Sequence, residues 1–445
     1  MKKFLSAIMA ITLMCSCFLI NSNASFNSLM TTEADIMLLV NLDDNTVILD
    51  KNADKRSAPA SLAKIVTCIL ALDNCSDLST EITCRREVLG NLYQVKASVA
   101  GIRTGETLTM EQLLYCLMVA SAGDAANIIA DYIGGSIEQF VVMMNDFAKS
   151  LGCNDTNFTN ANGLDDGDQM YTTANDLYKI TSYALKNEKF REIVDAKRYD
   201  LPPTNKCGET RHFQGTNKMM NSAFKDYYCP YVSGVKTGTT ELAGHCVITT
   251  ASKDGYNYLL IVMNAPQYDI DDDGVDENVA FTDSKKIYEW AFKNMVLQKV
   301  TNTTDVITVV DVKYNWKVDH LRLVPESEMS ALVPRGTETG SLIVRPIEDE
   351  TPKTVKAPIK KGDVIGKAEI LYGEDSVGTV NLVSAEDIDR DFTKFFVDGI
   401  KAFFGNIIVK ILIGILIVLV IIYILLIIRK NRIKKKRKKI RMIKG

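Results

Sequence analysis

A serine and a lysine lie three residues apart where a long apolar segment begins, as Ser61 and Lys64 of the sequence Pro-Ala-Ser-Leu-Ala-Lys. Three residues are almost one helical turn, so the two side chains project from the same face of a helix. A serine hydroxyl is a weak nucleophile that needs a base, and a lysine amine can be that base when burial lowers its pKa. The apolar run 65–70 predicts such burial. A capping serine followed by a solvated lysine has the same spacing, so this pattern alone is a weak signal.

Two other segments carry groups that can bind a ligand. The segment 232–240 has the composition of a strand, and it presents Lys236, Thr237 and Gly238. The lysine can hold a substrate carboxylate, the hydroxyl adds a hydrogen bond, and the glycine lets a ligand backbone approach closely. Ser121 lies in a polar turn, Ser-Ala-Gly-Asp, between two apolar helices. These segments add candidate binding groups to the serine and lysine pair.

The hydrophobic pattern predicts strands near both ends of the first 297 residues and helices between them. Two β-rich runs within 35–50 flank a turn cluster, which is typical of a hairpin. Strand signals return at 245–251 and 256–263, joined by another tight-turn sequence. Apolar residues at i, i+3, i+4 spacing predict helices at 61–72, 110–119, 124–132, 137–151 and 284–295. Because strands and helices are segregated, we predict an α+β fold in which helices flank an antiparallel sheet.

Beyond residue 298 the pattern changes to short β-rich runs separated by Pro, Gly and Lys, which predicts a second, smaller all-β domain. Near residue 386 helical periodicity returns, with phenylalanines among charged residues, and predicts an amphipathic helix. The predicted segments are a signal peptide (1–24), a catalytic domain (25–297), a β-rich domain (298–385), an amphipathic linker helix (386–406), a transmembrane helix (407–428) and a basic tail (429–445).

The two ends of the chain predict export and membrane attachment. Two lysines, an apolar run and a small-residue site ending at Ala24 form the pattern of a secretory signal, with an uncleaved anchor as the alternative. At the other end, 411–428 contains no charged residue and is long enough to cross the hydrocarbon core. Because the basic tail fits the cytoplasmic side, we predict a single-pass protein with its folded domains outside the cell membrane.

The formal net charge of −3 averages two unlike parts of the 445-residue chain. The tail 429–445 holds eleven Lys and Arg and no acid, and three further lysines lie in the two apolar ends. The rest has 38 basic against 55 acidic residues, a balance of −17. A part of the chain with this negative charge would repel the phosphate backbone of a nucleic acid, which argues against a nucleic-acid partner.

Metal and disulfide chemistry receive little support from the sequence. The three histidines, His212, His245 and His320, are widely scattered, no HExxH motif is present, and each is interpreted as structural. No metal or cofactor is therefore expected. The run 269–274 resembles the opening of a calcium loop, but its twelfth position is Ala280, which favours a solvated acidic loop. The eight cysteines of the mature chain do not decide between free thiols and disulfides.

Taken together, the motifs resemble those of the serine penicillin-recognising enzymes, which have SxxK, an SxN-type turn and KTG in that order. The wider sequence resembles the low-molecular-mass D-alanyl-D-alanine carboxypeptidases from about residue 30 to 400. Supporting stretches are Gly163-Leu164-Asp165, Tyr171-Thr172-Thr173-Ala174, Thr216-Asn217-Lys218 and Gly234-Val235-Lys236-Thr237-Gly238. The resemblance implies peptidoglycan stem peptides as substrates, β-lactams as inhibitors, and a role in cell-wall synthesis and cell shape.

The resemblance also implies a role for each motif residue. Ser61 is expected to be the acylated nucleophile, Lys64 its general base, and Ser121 the relay of a proton to the departing D-alanine. Lys236 and Thr237, with Gly238 and Thr239 on the same strand, are expected to bind the substrate. The backbone N–H groups of Ser61 and Thr239 are expected to form the oxyanion hole. A water then hydrolyses the acyl-enzyme.

One position departs from the family pattern. The middle motif usually has Asn as its third residue, and Gly123 stands there. That side chain holds the base lysine and the substrate amide, so its loss removes a hydrogen bond of about 1–3 kcal/mol if buried. Asp124, Asn127 or a water are candidates to compensate. The departure motivates an alternative function, a weakly active or inactive homologue that binds stem peptides.

A class A β-lactamase is disfavoured because it also needs a glutamate for deacylation. No glutamate lies between Glu138 and Glu188, where that residue would be expected. The resemblance, together with the apolar C-terminal segment, therefore implies a membrane-anchored serine-type D-Ala-D-Ala carboxypeptidase.

Overall fold

The computed structural model describes residues 31–90, 92, 97–269, 276–373 and 375–443. The predicted signal peptide and most of the calcium-like loop lie outside these residues. The chain divides into two compact units. The first covers residues up to Gln298 together with Ala331–Ile343 and Leu371–Gly378, and the second covers Lys299–Ser330, Val344–Ile370 and the residues from Thr379 onward.

The first unit is built on an antiparallel five-stranded sheet, as the sequence predicts. Its strands through residue 278 are β1 (Ile36–Asn41), β2 (Val47–Lys51), β3 (Glu81–Thr83), β4 (Thr107–Thr109), β5 (Arg198–Leu201), β6 (Arg211–Gln214), β7 (Val232–Thr240), β8 (Gly244–Lys253), β9 (Tyr256–Ala265), β10 (Gln267–Tyr268) and β11 (Glu277–Asn278). The sheet order is β2-β1-β9-β8-β7, and β1 and β2 form the predicted hairpin. The pairs β3-β4, β5-β6 and β10-β11 are separate ribbons.

Helices cover both faces of this sheet. They are α1 (Lys64–Asn74), α2 (Met110–Val119), α3 (Gly123–Gly134), α4 (Ile137–Ser150), α5 (Ala174–Ala184), α6 (Glu188–Val194) and α7 (Val279–Asn294). Alternate residues of β1, such as Ile36 and Leu38, belong to the same core cluster as Ile65 of α1. On the opposite face, the Thr249 and Tyr288 hydroxyls of β8 and α7 lie 2.9 Å apart.

Helix α1 runs through the core, which explains why apolar residues dominate it. All residues from Lys64 to Ala71 are buried. A 3₁₀ turn over Ala60–Ala63 precedes it, so the predicted helix at 61–72 begins as a tighter turn. Two helices that the sequence analysis did not predict, α5 and α6, pack against the same core through residues such as Leu177 and Phe190.

The C-terminal part is rich in strands, as predicted. They are β12 (Met295–Thr301), β13 (Thr308–Lys313), β14 (His320–Pro325), β15 (Met329–Pro334), β16 (Leu342–Pro346), β17 (Thr354–Lys356), β18 (Val364–Tyr372) and β19 (Asp375–Ser384). Six of these form a sheet in the order β16-β18-β19-β14-β13-β17, in which β13 and β17 are parallel. Leu321, Leu323 and Leu382 lie in its core. The predicted α+β class with a β-rich second part is confirmed, whereas the domain boundaries stay predictions.

Two helices end the described chain, α8 (Phe392–Gly405) and α9 (Ile407–Ile443). The amphipathic helix begins six residues later than predicted because the Asp391 carboxylate accepts hydrogen bonds from the N–H groups of Thr393 and Lys394 and caps it there. Its phenylalanines are exposed, with Phe392 at 73%. Within α9, Ile407–Lys434 is long and apolar enough to cross a membrane.

Candidate active site

Ser61 lies in a turn against which two other backbone segments pack. The preceding residue, Ala60, has a φ of +46°, a sparsely populated conformation for a residue with a side chain. A Cβ on Gly163 would lie 2.0 Å from the Ala60 carbonyl oxygen, and a Cβ on Gly238 would lie 3.0 Å from the Ser61 nitrogen. Glycine at 238 is therefore required by the protein's own backbone, in addition to any approach of a ligand. The close packing holds the Ser61 turn in one position.

The structure brings Ser61 and Lys64 together. The Lys64 Nζ lies 2.9 Å from the Ser61 Oγ, and it also donates a hydrogen bond to the Asn162 carbonyl. Lys64 is 3% exposed, as the apolar run after it predicts. Burial lowers the pKa of Lys64 to about 7, and the negative charge of Asp124 partly opposes this shift. Near neutral pH the amine is therefore able to accept the proton of the serine hydroxyl.

Lys236 is a second buried lysine, on strand β7. Its Nζ donates to the Thr237 carbonyl at 2.9 Å, and the side chain is 2% exposed. Burial, and then the positive charge of Lys64, holds the pKa of Lys236 well below its usual range. An anion that enters the site favours the charged form of this lysine and raises its pKa again. The arrangement suits a carboxylate that arrives with the ligand.

The motif Thr216-Asn217-Lys218, which the sequence analysis gave no role, supports β7. The Thr237 hydroxyl donates to the Thr216 hydroxyl at 2.5 Å, and the Asn217 side chain donates to the Gly234 carbonyl at 2.6 Å. Because its oxygen already accepts a bond from Thr237, the Thr216 hydroxyl can direct its own hydrogen toward a ligand.

Strand β7 continues with Thr239 and Thr240, which line a cleft beside Ser61. The Thr239 hydroxyl lies 3.1 Å from the His245 Nδ1, and the Thr240 hydroxyl donates to the Asp165 carboxylate at 2.6 Å. His245 was expected to be structural, but it also lines the cleft beside Thr239. Burial lowers the pKa of His245, which favours its neutral form.

Ser121 occupies the turn between α2 and α3 with a φ of +55°. It is 5% exposed and lines the same cavity of about 300 Å³ as Ser61 and Thr237. The neighbouring N–H of Gly123 donates to the Ser98 carbonyl at 2.7 Å, which fixes the turn. The three predicted motifs therefore meet at one place.

A larger cleft of about 650 Å³ also borders Ser61. The sequence analysis missed several of its lining residues: Ser98, Thr159, Asn160, Asn162, Asp166 and Glu241. Asn160 and Asn162 directly precede the Gly163-Leu164-Asp165 motif. Their position next to this motif is the signal in the sequence that could have indicated them.

Asp124 and Asn127 are the two side chains that could replace the missing Asn, and the carboxylate of Asp124 is already occupied by backbone hydrogen bonds. Asp124 is fully buried, and its carboxylate accepts hydrogen bonds from the N–H groups of Ala100, Ile102 and Ala125. Its influence on Lys64 is therefore through charge. Asn127 instead accepts a hydrogen bond from the Asn162 side chain at 2.9 Å.

Comparison with known proteins identifies the same two parts of the chain. The family profile of D-alanyl-D-alanine carboxypeptidases matches residues 22–267, and that of the C-terminal domain of penicillin-binding protein 5 matches residues 297–390. The D-alanyl-D-alanine carboxypeptidase DacF of Bacillus subtilis is 25% identical over 394 residues, which is 88% of this chain and 95% of the relative. A D-alanyl-D-alanine carboxypeptidase of a Streptomyces species is 33% identical over 224 residues, 48% of this chain and 75% of the relative.

Solved structures agree on the fold. Penicillin-binding protein 5 of Haemophilus influenzae superimposes with a TM-score of 0.63 at 23% identity, covering 81% of this chain and 99% of that one. The Streptomyces K15 DD-transpeptidase gives a TM-score of 0.52 at 28% identity, covering 59% and 98%. Since one profile spans more than half of the sequence, the chain belongs to the D-alanyl-D-alanine carboxypeptidase family of serine hydrolases.

Proposed function

We propose that this protein removes the terminal D-alanine from peptidoglycan stem pentapeptides by way of an acyl-enzyme on Ser61, and that β-lactams acylate the same oxygen. The observation that carries the proposal is the contact between Ser61 and Lys64, 2.9 Å between Oγ and Nζ, with the lysine buried and its pKa lowered to about 7. A neutral amine in contact with a hydroxyl is the arrangement a general base requires.

The reaction begins when the Lys64 amine takes the hydroxyl proton as the Ser61 Oγ attacks the carbonyl carbon between the two D-alanines. The backbone N–H groups of Ser61 and Thr239 stabilise the oxyanion. As the C–N bond breaks, Ser121 gives its hydroxyl proton to the leaving amine and takes up the proton that Lys64 accepted, which leaves the lysine neutral again. A water then attacks the ester, which releases the shortened peptide and restores the Ser61 hydroxyl.

Lys236 and Thr237 bind the terminal carboxylate of the substrate. Their support is the burial of the Lys236 side chain and the position of the Thr237 hydroxyl, whose hydrogen turns from Thr216 to the carboxylate when the substrate binds. The carboxylate favours the charged form of Lys236 and raises the pKa of this lysine.

The direct test is to incubate the full chain, solubilised in detergent, with a labelled penicillin and to map the adduct by mass spectrometry. We expect one adduct, on Ser61, and release of D-alanine from a stem pentapeptide. Absence of the Ser61 adduct would contradict the mechanism. An adduct without release of D-alanine would favour the second candidate, a stem-peptide binding protein, which Gly123 motivates.

The rate of acylation is expected to rise with pH and to reach half of its maximum near pH 7. The reason is that the pKa of Lys64 is lowered to about 7, and the amine accepts a proton only above that pH. The measurement is the second-order rate constant for a chromogenic cephalosporin between pH 5 and pH 9, with circular dichroism as the control for folding. A rate that still rises about tenfold per pH unit up to pH 9, as for a lysine with the usual pKa of about 10.4, would contradict the assignment of Lys64 as the base.

The protein is proposed to be held in the cell membrane by α9, with both folded units outside and the basic tail in the cytoplasm. The apolar side chains of Ile407–Lys434 are not buried by the protein, as expected for a helix in contact with lipid. The eleven basic residues that begin at Arg429 fit the cytoplasmic side.

Deletion of residues 407–445 is expected to move the protein from the membrane pellet to the supernatant after an alkaline carbonate wash. The deletion removes the apolar segment that anchors the chain. Deletion of 429–445 alone is the matched control, and we expect that variant to stay in the pellet. Retention of the longer deletion in the pellet would show that α9 is not the integral anchor.

A further inference from the structure

The third residue of the middle motif is a glycine, so no side chain projects from it into the cleft that Ser61 and Lys64 line. Gly123 begins α3 and has no side chain, although the backbone there accommodates one. A Cβ at this position would lie 3.4 Å from the Ser98 carbonyl oxygen and 3.6 Å from the Asn162 Cβ, both ordinary contact distances. The space in which a side chain from position 123 would project is therefore next to Asn162.

Asn127 reaches this region from one turn further along the same helix. Side chains of a helix lean toward its N-terminus, so the Asn127 amide lies over the turn that contains Gly123. It is 7% exposed, and both ends of the amide have partners. Its Nδ2 donates to the Val88 carbonyl at 3.0 Å, and its Oδ1 accepts from the Asn162 Nδ2 at 2.9 Å.

Asn162 connects this amide to the base. Its side-chain Oδ1 accepts a hydrogen bond from the Leu164 N–H at 3.0 Å, and its Nδ2 donates to Asn127. The backbone carbonyl of the same residue accepts a hydrogen bond from the Lys64 Nζ. Movement of the Asn162 side chain would therefore move the carbonyl that fixes the amine.

We propose that Asn127 is a positioning residue for the base, acting through Asn162, and that it replaces the amide absent at Gly123. The Asn127 amide lies one helical turn from position 123, and it binds Asn162, whose carbonyl holds the lysine, instead of the lysine itself. The inference rests on the proposed function, because it assumes that Lys64 activates Ser61. It differs from the effect of Asp124, which acts on Lys64 through charge.

The test measures the second-order rate constant of Ser61 acylation by a fluorescent penicillin, using the full chain in detergent. Asn127→Ala removes the partner of the Asn162 Nδ2, and we expect the acylation rate of this variant to fall by about 5- to 150-fold, the equivalent of one buried hydrogen bond. The double variant Gly123→Asn with Asn127→Ala returns an amide to the motif. We expect its acylation rate to be at least about tenfold higher than that of Asn127→Ala alone when the single substitution lowers the rate about 100-fold.

Asn145→Ala is the matched control. Asn145 of α4 also binds a backbone segment through its amide, donating to the Phe158 carbonyl at 2.8 Å, and within the described residues its hydrogen bonds are to Val141 and Phe158, not to Asn162 or Lys64. We expect this variant to lose stability and to keep its acylation rate within about threefold. An equal loss in Asn127→Ala and Asn145→Ala would overturn the proposal, because both amides would then be structural only.

A second substitution keeps the test decisive if Asn127→Ala does not fold. Asn127→Asp retains an oxygen that accepts from Asn162 and adds a negative charge close to the base. We expect near-normal acylation at high pH, with the midpoint of the pH profile moved upward because the charge stabilises protonated Lys64. An unchanged midpoint together with a normal rate would overturn the inference. If the unsubstituted chain gives no adduct on Ser61, the proposed function itself fails, which is a separate outcome.

Discussion

Replacement of Lys64 by methionine is expected to lower the rate of Ser61 acylation by about 10²–10⁴-fold, the contribution of a positioned general base. The Nζ is the group in contact with the Ser61 hydroxyl, at 2.9 Å. Methionine has a similar length and no amine, so it fills the buried volume without a titratable group. The measurement is the rate of adduct formation with a labelled penicillin at pH 8.

Thermal unfolding separates the chemical effect of this substitution from a structural one. Removing a buried amine avoids a cost of desolvation, so the methionine variant is expected to unfold at an equal or higher temperature than the parent. Ser61→Ala is the matched variant that keeps the lysine and removes the nucleophile, and it should form no adduct. Acylation of Lys64→Met within threefold of the parent rate would assign the base to another group.

Substitution of Gly163 by alanine is expected to have the second largest effect, on both stability and acylation. The new Cβ would lie 2.0 Å from the Ala60 carbonyl oxygen, and the φ of +82° disfavours any side chain. Overpacking costs about 1–3 kcal/mol, and the left-handed conformation adds about 1–2 kcal/mol. Because the Ser61 turn must shift to relieve the contact, we also expect acylation to fall by about 100-fold.

Gly152→Ala is the control for the cost of placing a side chain on a residue in the left-handed conformation. Gly152 has a φ of +73°, but no atom lies within 4 Å of the position that its Cβ would take. We therefore expect this variant to lose only about 1–2 kcal/mol of unfolding free energy, without a change in acylation. Urea denaturation of both variants measures the difference. Equal losses at 163 and 152 would mean that the Ala60 contact relaxes without cost.

The part of the site that the sequence predicts is local. Ser61 and Lys64 are three residues apart, and the apolar run that follows them predicts a buried helix, so their contact is determined within one turn. The β-rich runs and the turn sequences that join them likewise predict β1, β2, β8 and β9 to within a few residues. Short-range patterns of this kind need no knowledge of how distant segments meet.

The part that the sequence analysis missed depends on distant contacts or on buried polar groups. The Asn162 carbonyl lies 98 residues from Lys64 in sequence, and no periodicity indicates that they meet. Helix α5 was missed because its inner face is partly polar. Asp176 and Thr181 of that helix are buried, and the Asp176 carboxylate accepts from Thr156, so the apolar spacing is interrupted.

The three glycines near Ser61, at positions 123, 163 and 238, differ in whether another residue could take their place. Positions 163 and 238 are closed to every other residue for as long as the backbone keeps this arrangement, since a Cβ at either would collide with the Ala60 and Ser61 segment. Position 123 is open, with contacts no shorter than 3.4 Å. An amide at 123 is therefore sterically allowed while Asn127 is kept, and we expect the effects of substitutions at 123 and 127 on acylation not to be additive. If so, glycine as the third residue of the middle motif does not by itself indicate a loss of turnover.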